Sequence, residues 1–223
     1  MNELSPRYIC LTFDDGPSAY TTDILDILKK YEIRATFFIV GSAAEKFPDI
    51  VRRIHAEGHV IGNHTWSHPN ITHLSNEELQ QEIHSTSDQI KEIINISPDL
   101  FRPPFGEINH HASAEIKEMG MTTVLYNVSS RDWVQDMDSN SLYWHVILML
   151  KRHNIILLHD GDQFGSGPRD NTVSALPSII EYLLENDYSF VTVPEFHEEV
   201  FKIEKWDIRF LLHQLSVSFP FYY

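Results

Sequence analysis

Short apolar runs alternate with longer amphipathic segments along almost the whole chain. The runs have the length of strands, and the longer segments repeat their apolar residues at helical spacing. This alternation predicts a parallel sheet whose strands are joined by helices. The predicted strands are 8–13, 35–40, 59–61, 100–101, 122–128, 155–158 and 189–193, and the predicted helices are 21–31, 43–57, 76–94, 112–119, 141–152 and 172–185. Seven strands and six helices in this order favour an α/β barrel, either closed or incomplete.

The composition is that of one domain with a full hydrophobic core. The chain has 223 residues, of which 42% are hydrophobic, and a single domain of this size is normal for an α/β barrel. Its formal net charge of -15 leaves no basic stripe, which argues against nucleic acid and anionic membrane surfaces as partners. Cys10 is the only cysteine, so no internal disulfide can form, and its place inside an apolar run indicates a core residue rather than a nucleophile.

The two ends of the chain bear on location and assembly. Residues 1–7 contain no charged-then-apolar signal sequence, and no apolar run is long enough to cross a bilayer. The chain as given therefore predicts a cytoplasmic protein, although a processed secreted or cell-wall fragment would look the same. One domain is predicted over 1–223, with its core at about 8–195. The apolar extension 196–223 is expected to pack on the barrel or on a partner subunit, and a homodimer through it is a hypothesis.

Charged and polar side chains follow five of the predicted strands. They are Asp14 and Asp15 after the first strand, His64 and His68 after the third, Arg102 after the fourth, Asp132 after the fifth, and His159 with Asp160 after the sixth. The active site of a parallel barrel is built at the carboxyl ends of its strands. We therefore expect these side chains to share one site.

The two adjacent aspartates stand where the first apolar run stops at Gly16 and Pro17. Neighbouring side chains at a strand end point in different directions, so one carboxylate can bind a metal while the other handles a proton. The alternative interpretation is a hydrogen-bonded turn, in which Asp is favoured because it bonds its own backbone.

His64 and His68 are four residues apart, a spacing that brings two imidazoles together on a helical turn or around a tight loop. Two histidines and one aspartate make a three-ligand site. Zinc held by three protein groups keeps a fourth position for water, which distinguishes a catalytic site from a structural one. Alternatively, both are ordinary loop histidines among the 13 of the chain, like His55, His59 and His73 nearby.

Five motifs occur in an order that resembles a known family. They are Thr12 to Pro17, His64 to His68, Arg102 to Gly106, Asp132 with Trp133, and Leu157 to His159. Together they are similar to the motifs of the polysaccharide deacetylases, the carbohydrate esterase family 4 that shares the NodB homology domain. The resemblance covers roughly residues 8 to 195. It implies a distorted (β/α)7-type barrel, a divalent metal, and hydrolytic removal of an acetyl group from an N-acetylated or O-acetylated sugar.

The resemblance also implies a role for each matching residue. Asp15, His64 and His68 would bind the metal, Asp14 would be the general base for the attacking water, His159 the general acid, Arg102 the partner of the base and Asp132 the group that orients the acid. The metal is most often zinc, and cobalt, nickel or iron would fit the same ligands. The backbone N–H of Phe105 would help to hold the oxyanion, and Trp133 with Leu157 would form an apolar pocket for the acetyl methyl. A surface ion pair for Arg102 and core packing for Leu157 are the alternatives.

Three functions remain open at this point. The first is a metal-dependent deacetylase of sugars that contain N-acetylglucosamine, such as chitooligosaccharide or peptidoglycan. The second is hydrolysis of an acetyl ester, as in acetylated xylan, or of a small non-sugar amide on the same scaffold. The third is a non-catalytic glycan-binding domain, which would need neither Asp14 nor His159. Many family members carry a further aspartate shortly before the Asp-Trp pair, whereas this chain has Tyr126 to Arg131 there, so a sugar or loop contact is expected to differ.

Overall fold

The computed structural model describes residues 6–161 and 168–204. Eight strands are found in these ranges: β1 (Arg7–Asp14), β2 (Thr36–Ile39), β3 (Val60–Asn63), β4 (Leu100–Phe101), β5 (Thr122–Thr123), β6 (Val128–Ser129), β7 (Asn154–His159) and β8 (Tyr188–Phe190). Eight α-helices connect or follow them: α1 (Ala19–Lys30), α2 (Gly41–Lys46), α3 (Pro48–Ala56), α4 (Asn76–Ile94), α5 (His110–Glu118), α6 (Ser139–Met149), α7 (Asp170–Glu185) and α8 (Val193–Glu204).

The strands form one parallel sheet in the order β5, β4, β3, β2, β1, β7 and β6. Along one edge, β1 pairs with β2 over residues 12–14 and with β8 over residues 7–9. Within the described residues no ladder joins β5 to β6, so the sheet curls without closing. The predicted α/β fold of the distorted barrel type is therefore confirmed.

Strand β1 lies at the centre and separates two environments. Ile9, Leu11 and Phe13 belong to the large hydrophobic cluster that includes the buried faces of α1, α3 and α7. Cys10 points the other way, into a smaller cluster with Phe38 inside the curled sheet. Successive side chains of a strand alternate between its two faces. The prediction of a core position for Cys10 is confirmed. Asp14, at the end of the strand, lies on the same face of β1 as Cys10.

The helix predicted over 43–57 is in fact two helices that meet at Phe47 and Pro48. Proline has no backbone N–H and its ring clashes with the preceding turn, so it is placed at the first position of a helix rather than in its interior. Pro48 accordingly begins α3. The prediction of one continuous helix was wrong because the proline was treated as an interior residue.

The strand predicted over 122–128 is also two elements. Strand β5 pairs with β4 at one end of the sheet, and β6 pairs with β7 at the other end. Residues 124–127 run between them, with Val124 donating to the carbonyl of Phe101 and Asn127 donating to that of Ile155. This segment therefore crosses the gap between the two ends of the curled sheet. Its course depends on pairing with strands that are distant in sequence, which local apolar periodicity cannot predict.

The last predicted strand, 189–193, is shorter than expected, because Val193 begins α8. Residues 196–204 of the predicted extension are therefore helical. Residues 205–223 lie outside the described part of the chain, and packing or dimerisation through the extension stays a prediction. Among the described helices none is both long enough and apolar enough to pass through a membrane.

The buried His59 ties the stability of the fold to pH. Its Nδ1 accepts a hydrogen bond from the N–H of Ala35 at 3.0 Å, and its ring meets the ring of Phe37 edge-on. Burial lowers the pKa of His59 to about 4, with nearby Arg34 and Arg53 acting in the same direction and Glu57 opposing them. The unfolded chain therefore binds this proton more tightly, and stability is lost as pH falls from about 6.5 towards about 4.

We predict that His59→Asn removes most of this pH dependence, because an amide oxygen can still accept from Ala35 but does not titrate. The free energy of unfolding in urea is to be compared at pH 7 and pH 4.5 for both proteins. The loss on acidification should be smaller in the variant by about 1 to 2 kcal/mol, a value reduced for partial solvent exposure. An equal loss in the two proteins would contradict the assignment.

Candidate active site

A cleft of about 480 Å³ opens at the carboxyl ends of the strands. Its lining consists of Asp14, Asp15, His64, His68, Phe105, Gly106, Tyr126, Trp133, Leu157 and His159. Eight of the ten residues predicted from the sequence are in this lining. The other two, Arg102 and Asp132, are buried directly behind it and contact Asp14 and His159. The chain fold thus brings all ten predicted residues to one place.

Asp15, His64 and His68 form a compact buried cluster. Oδ1 of Asp15 lies 3.4 Å from Nε2 of His64 and 3.1 Å from Nε2 of His68. One ligand atom from each of the three side chains falls within 4.8 Å of the others. Oδ1 of Asp15 is buried yet accepts no hydrogen bond from the described residues. A buried carboxylate oxygen without a donor is costly, and a cation between the three groups would satisfy it.

The orientation of His64 fits the same interpretation. Its Nδ1 lies 2.7 Å from the carbonyl oxygen of Arg102, which can only accept, so Nδ1 carries the proton and Nε2 presents a lone pair to the cluster. This backbone contact is the usual support of a metal-binding histidine. Burial lowers the pKa of His64, but Asp14 and Asp15 together raise it above its ordinary value, which shows how negative the cluster is. The residues present therefore suit a divalent cation.

The loop that carries both histidines is held from two sides. Oε2 of Glu82, on α4, accepts from the backbone N–H groups of Trp66 and Ser67, both at 2.8 Å. On the opposite side, the N–H of Gly41 at the start of α2 donates to the carbonyl of Thr65. His68 itself has a φ of 59°, a left-handed conformation that needs such support. The two imidazoles thus converge through a tight loop rather than along a helix.

Asp14 is paired with a fully buried arginine. Nη1 of Arg102 donates to Oδ1 of Asp14 at 2.8 Å and to the hydroxyl of Thr12 at 2.7 Å. The guanidinium also stacks over the ring of Phe38 at 4.1 Å from its centroid. Oδ2 of Asp14 remains on the cleft side, 3.8 Å from Nε2 of His64. Arg102 is therefore not a surface ion pair, and its position fixes one carboxylate oxygen while the other stays available.

His159 is held by Asp132 on the opposite side of the cluster. Nδ1 of His159 donates to Oδ1 of Asp132 at 2.7 Å, and the backbone N–H of His159 donates to Oδ2 at the same distance. The hydroxyl of Thr172 donates to Oδ2 as well, at 2.8 Å. Nε2 is thereby directed into the cleft, 4.0 Å from Oδ2 of Asp15.

The charges around His159 make it basic. Burial lowers the pKa of His159, but Asp132, followed by Asp15 and Asp14, raises it to about 9. For Asp132 the two effects are reversed. Burial raises the pKa of this carboxyl group, but the charge and hydrogen bonds of His159 bring the pKa below its usual range. The pair is therefore an imidazolium next to a carboxylate at neutral pH, with an N–H on the cleft side.

Two exposed aromatic rings flank the cleft. Phe105 is 58% exposed and Trp133 is 49% exposed, although both lie beside buried polar groups. The Phe105 ring meets His68 edge-on at 4.7 Å between centroids, and Trp133 meets His159 in the same way at 5.1 Å. Leu157 is buried and lines the cleft floor between these walls. Their roles in substrate binding stay predictions.

Comparison with known proteins decides the family. A family model described as polysaccharide deacetylase matches residues 1–124. A peptidoglycan-N-acetylglucosamine deacetylase of Bacillus cereus is 37% identical over 187 residues, which are 83% of this chain and 66% of that protein. The chain belongs to the polysaccharide deacetylase family. The predicted family is thereby confirmed.

Two further relatives show the range of this polysaccharide deacetylase family. A chitooligosaccharide deacetylase of Rhizobium leguminosarum bv. trifolii is 34% identical, covering 85% of this chain and 91% of the relative. The solved structure of peptidoglycan deacetylase PdaC from Bacillus subtilis superposes with a TM-score of 0.80 at 36% identity, covering 95% of this chain and 98% of that one. The chain spans only 66% of the B. cereus relative and 39% of full-length PdaC.

The candidate site contains or is supported by residues to which the sequence assigned no role. Tyr126 lines the cleft in the segment between β5 and β6, where the sequence predicted a continuous strand. Glu82 holds the histidine loop from the middle of α4, too far along the chain for any local signal. Asp160 directly follows His159 at the end of the sixth predicted strand, where the sequence placed it among the strand-end residues but indicated no role for it.

Replacing Asp132 tests the electrostatic support of His159. We predict that Asp132→Asn lowers the pKa of His159, because the carboxylate that outweighs burial is lost. NMR titration of the His159 ring should show a downward shift of about one unit or more, and turnover should fall by roughly 10² to 10⁴ if His159 acts as an acid.

The matched control is Asp170→Asn, the same chemical change at the first turn of α7, where Asp170 contacts the hydroxyl of Tyr20. This control should leave both the His159 titration and turnover close to those of the wild-type protein. A His159 titration unchanged by Asp132→Asn would contradict the proposed coupling.

Proposed function

We propose that this chain is a metal-dependent hydrolase that removes acetyl groups from oligosaccharides or polysaccharides containing N-acetylglucosamine. One observation supports it above the others. Two differently supported groups, Asp14 with Arg102 and His159 with Asp132, lie on either side of the cluster of Asp15, His64 and His68 and face the same cleft. A binding module has no use for such an arrangement, whereas amide hydrolysis needs both a base and an acid.

The metal ligands in this proposal are Asp15, His64 and His68. Two imidazoles and a carboxylate suit zinc, and cobalt, nickel or iron fit the same ligands. When bound there, such a cation supplies Lewis acidity, which makes a water easier to deprotonate and a carbonyl easier to attack. Asp15 is suited to a ligand role because, although burial raises its pKa, the neighbouring His64, His68 and His159 together bring it below its usual range.

Asp14 is the general base. Its Oδ1 is occupied by Arg102, so Oδ2 is the oxygen that can accept the proton of the attacking water. The water oxygen forms a bond to the acetyl carbonyl carbon as this proton moves to Oδ2. Arg102 keeps the carboxylate from rotating and balances its buried charge. In this proposal Asp14 acts on the water and is not a metal ligand.

His159 is the general acid. In the tetrahedral intermediate the sugar nitrogen leaves only after it gains a proton, and the N–H at Nε2 of His159 faces the cleft. When the carbon–nitrogen bond breaks, the proton passes from His159 to the amine, and acetate and a free amino sugar result. The raised pKa of about 9 keeps His159 protonated at neutral pH, which favours this role over that of a base.

The shape of the cleft supports a sugar as substrate. Phe105 and Trp133 present rings on two sides of an opening, and apolar ring faces are suited to the C–H faces of a pyranose. Leu157 with Trp133 offers a small apolar surface for the acetyl methyl. The relatives named above act, by their names, on peptidoglycan or chitooligosaccharide, and both materials contain N-acetylglucosamine. The position of His159 favours an amide over an ester, because an amine depends more strongly on protonation to leave.

The deciding experiment is a measurement of acetate release. The purified protein is first depleted of metal with a chelator and then supplied with zinc or cobalt. Chitooligosaccharides and peptidoglycan fragments are the test substrates, with acetylated xylan as the ester comparison. We expect metal-dependent acetate release from the first two, reduced by roughly 10² or more in Asp14→Asn.

Each outcome separates the candidate functions. Faster release from acetylated xylan than from the amide substrates would replace the amide proposal with the ester alternative. Absence of release from every substrate, with metal bound, would contradict the proposed sugar deacetylase and leave hydrolysis of a small non-sugar amide or a glycan-binding domain.

A further inference from the structure

The turn that carries Asp14 and Asp15 has a conformation that it would not adopt by itself. Asp15 has a φ of 72°, in the left-handed region that costs a non-glycine residue of order 1 kcal/mol or more. A residue keeps this backbone conformation only where contacts with the surrounding structure hold it there. The carbonyl of Gly16 accepts from the N–H of Val40 at 3.0 Å, which supports one side of the turn. The other side is contacted by Asp160.

Asp160 reaches the turn both before and after the two aspartates. Its backbone N–H donates to the carbonyl of Asp14 at 3.1 Å. Its own carbonyl accepts from the hydroxyl of Ser18, which is the N-cap of α1. Its Oδ2 accepts from the hydroxyl of Thr21 at 2.6 Å, in the first turn of the same helix. These contacts connect the end of β7 to both ends of the turn.

The carboxyl group of Asp160 also packs against Gly16, in space that the Cβ of any other residue at position 16 would fill. A Cβ at Gly16 would overlap this carboxylate. A Cβ on the neighbouring Gly161 would lie 2.7 Å from the carbonyl oxygen of Asp15. The turn and the end of β7 are thus packed backbone against backbone, with the Asp160 side chain set against Gly16.

The retention of a carboxylate here is not explained by stability. Asp160 is 1% exposed, and its Oδ1 has no hydrogen-bond partner among the described residues. A buried oxygen without a donor is unfavourable. Besides its packing against Gly16, its side chain makes one hydrogen bond, with Oδ2 accepting from Thr21 in the first turn of α1.

We propose that Asp160 is a positioning residue that holds the turn of Asp15 and Gly16 and thereby sets the geometry of the metal site. It is absent from the lining of the cleft and is not one of the three residues of the metal cluster. Its effect passes through the backbone of Asp14 to Gly16 and through the start of α1. This inference rests on the metal site of the proposed function, but it concerns metal affinity and not the choice of substrate.

Zinc affinity provides the test, measured without any sugar by competition with a chromophoric chelator. We expect Asp160→Ala to weaken zinc binding by about 10-fold or more, as for other groups that support metal ligands. Asp160→Asn can keep the bond from Thr21 and the shape against Gly16, so it should remain within about threefold of the wild-type affinity. Thermal unfolding of the metal-free variants reports whether they are folded.

Two results overturn the inference directly. One is zinc affinity in Asp160→Ala within about twofold of wild type. The other is equal weakening in Asp160→Ala and Asp160→Asn, which would show that the charge matters and the positioning does not. Wild-type protein that binds no zinc would remove the metal assignment and this inference together, whereas zinc binding without acetate release would remove only the proposed function.

A second pair of variants decides the matter if Asp160→Ala does not fold. Thr21→Val removes the hydroxyl that bonds Oδ2 of Asp160, and Thr21→Ser keeps it. We expect weaker zinc binding in Thr21→Val, by roughly threefold to 10-fold, and nearly wild-type binding in Thr21→Ser. Equal zinc affinity in these two variants and the wild type would contradict the proposal.

Discussion

The parallel pairing of β1 with β7 is the constraint on which the site depends. Its register sets Asp14 opposite His159. The group proposed as base and the group proposed as acid are thus brought to one edge by a backbone ladder rather than by flexible loops. Because side chains alternate along a strand, a slip of one residue would turn every side chain of β1 to the other face. The same slip would move Cys10 out of the small cluster inside the curled sheet and bring the larger Leu11 into it. The packing on the two faces of β1 therefore maintains the register that the site requires.

The electrostatics of the site follow from burial. Asp14, Asp15 and Asp132 are all nearly inaccessible, and an unpaired buried carboxylate is strongly unfavourable. Arg102 offsets the charge of Asp14, and His159 offsets that of Asp132. Asp15 has two imidazoles beside it but no donor for Oδ1. Of these three carboxylates, Asp15 is therefore the one whose natural counter-charge is a cation, in agreement with the three-ligand cluster.

Much of this site could be predicted from the sequence, because residues that end apolar runs share one edge of a parallel barrel. The positions of Asp14, His64, Arg102 and His159 follow from that rule alone. The segment between β5 and β6 could not be predicted in the same way. Its course across the gap of the barrel depends on pairing with strands on opposite sides, and Tyr126 reaches the cleft only as a result.

The supporting residues are harder to predict for a related reason. Glu82 and Thr172 act through hydrogen bonds to loops that are distant in sequence, so no local pattern marks them. The break of the helix at Pro48, by contrast, follows from local chemistry and was available to sequence reasoning. Sequence patterns thus indicate which residues stand at the ends of strands, whereas the hydrogen bonds that hold their side chains depend on tertiary packing.

The division of labour between Asp14 and Asp15 is the central claim, and paired measurements on Asp14→Asn and Asp15→Asn test it most directly. Both substitutions remove one charge and keep the size of the side chain. Zinc affinity and acetate release are measured for both variants. The account predicts that Asp15→Asn loses zinc affinity by about 10-fold or more, whereas Asp14→Asn stays within about threefold in affinity and still loses turnover. Equal zinc affinities in the two variants would contradict it.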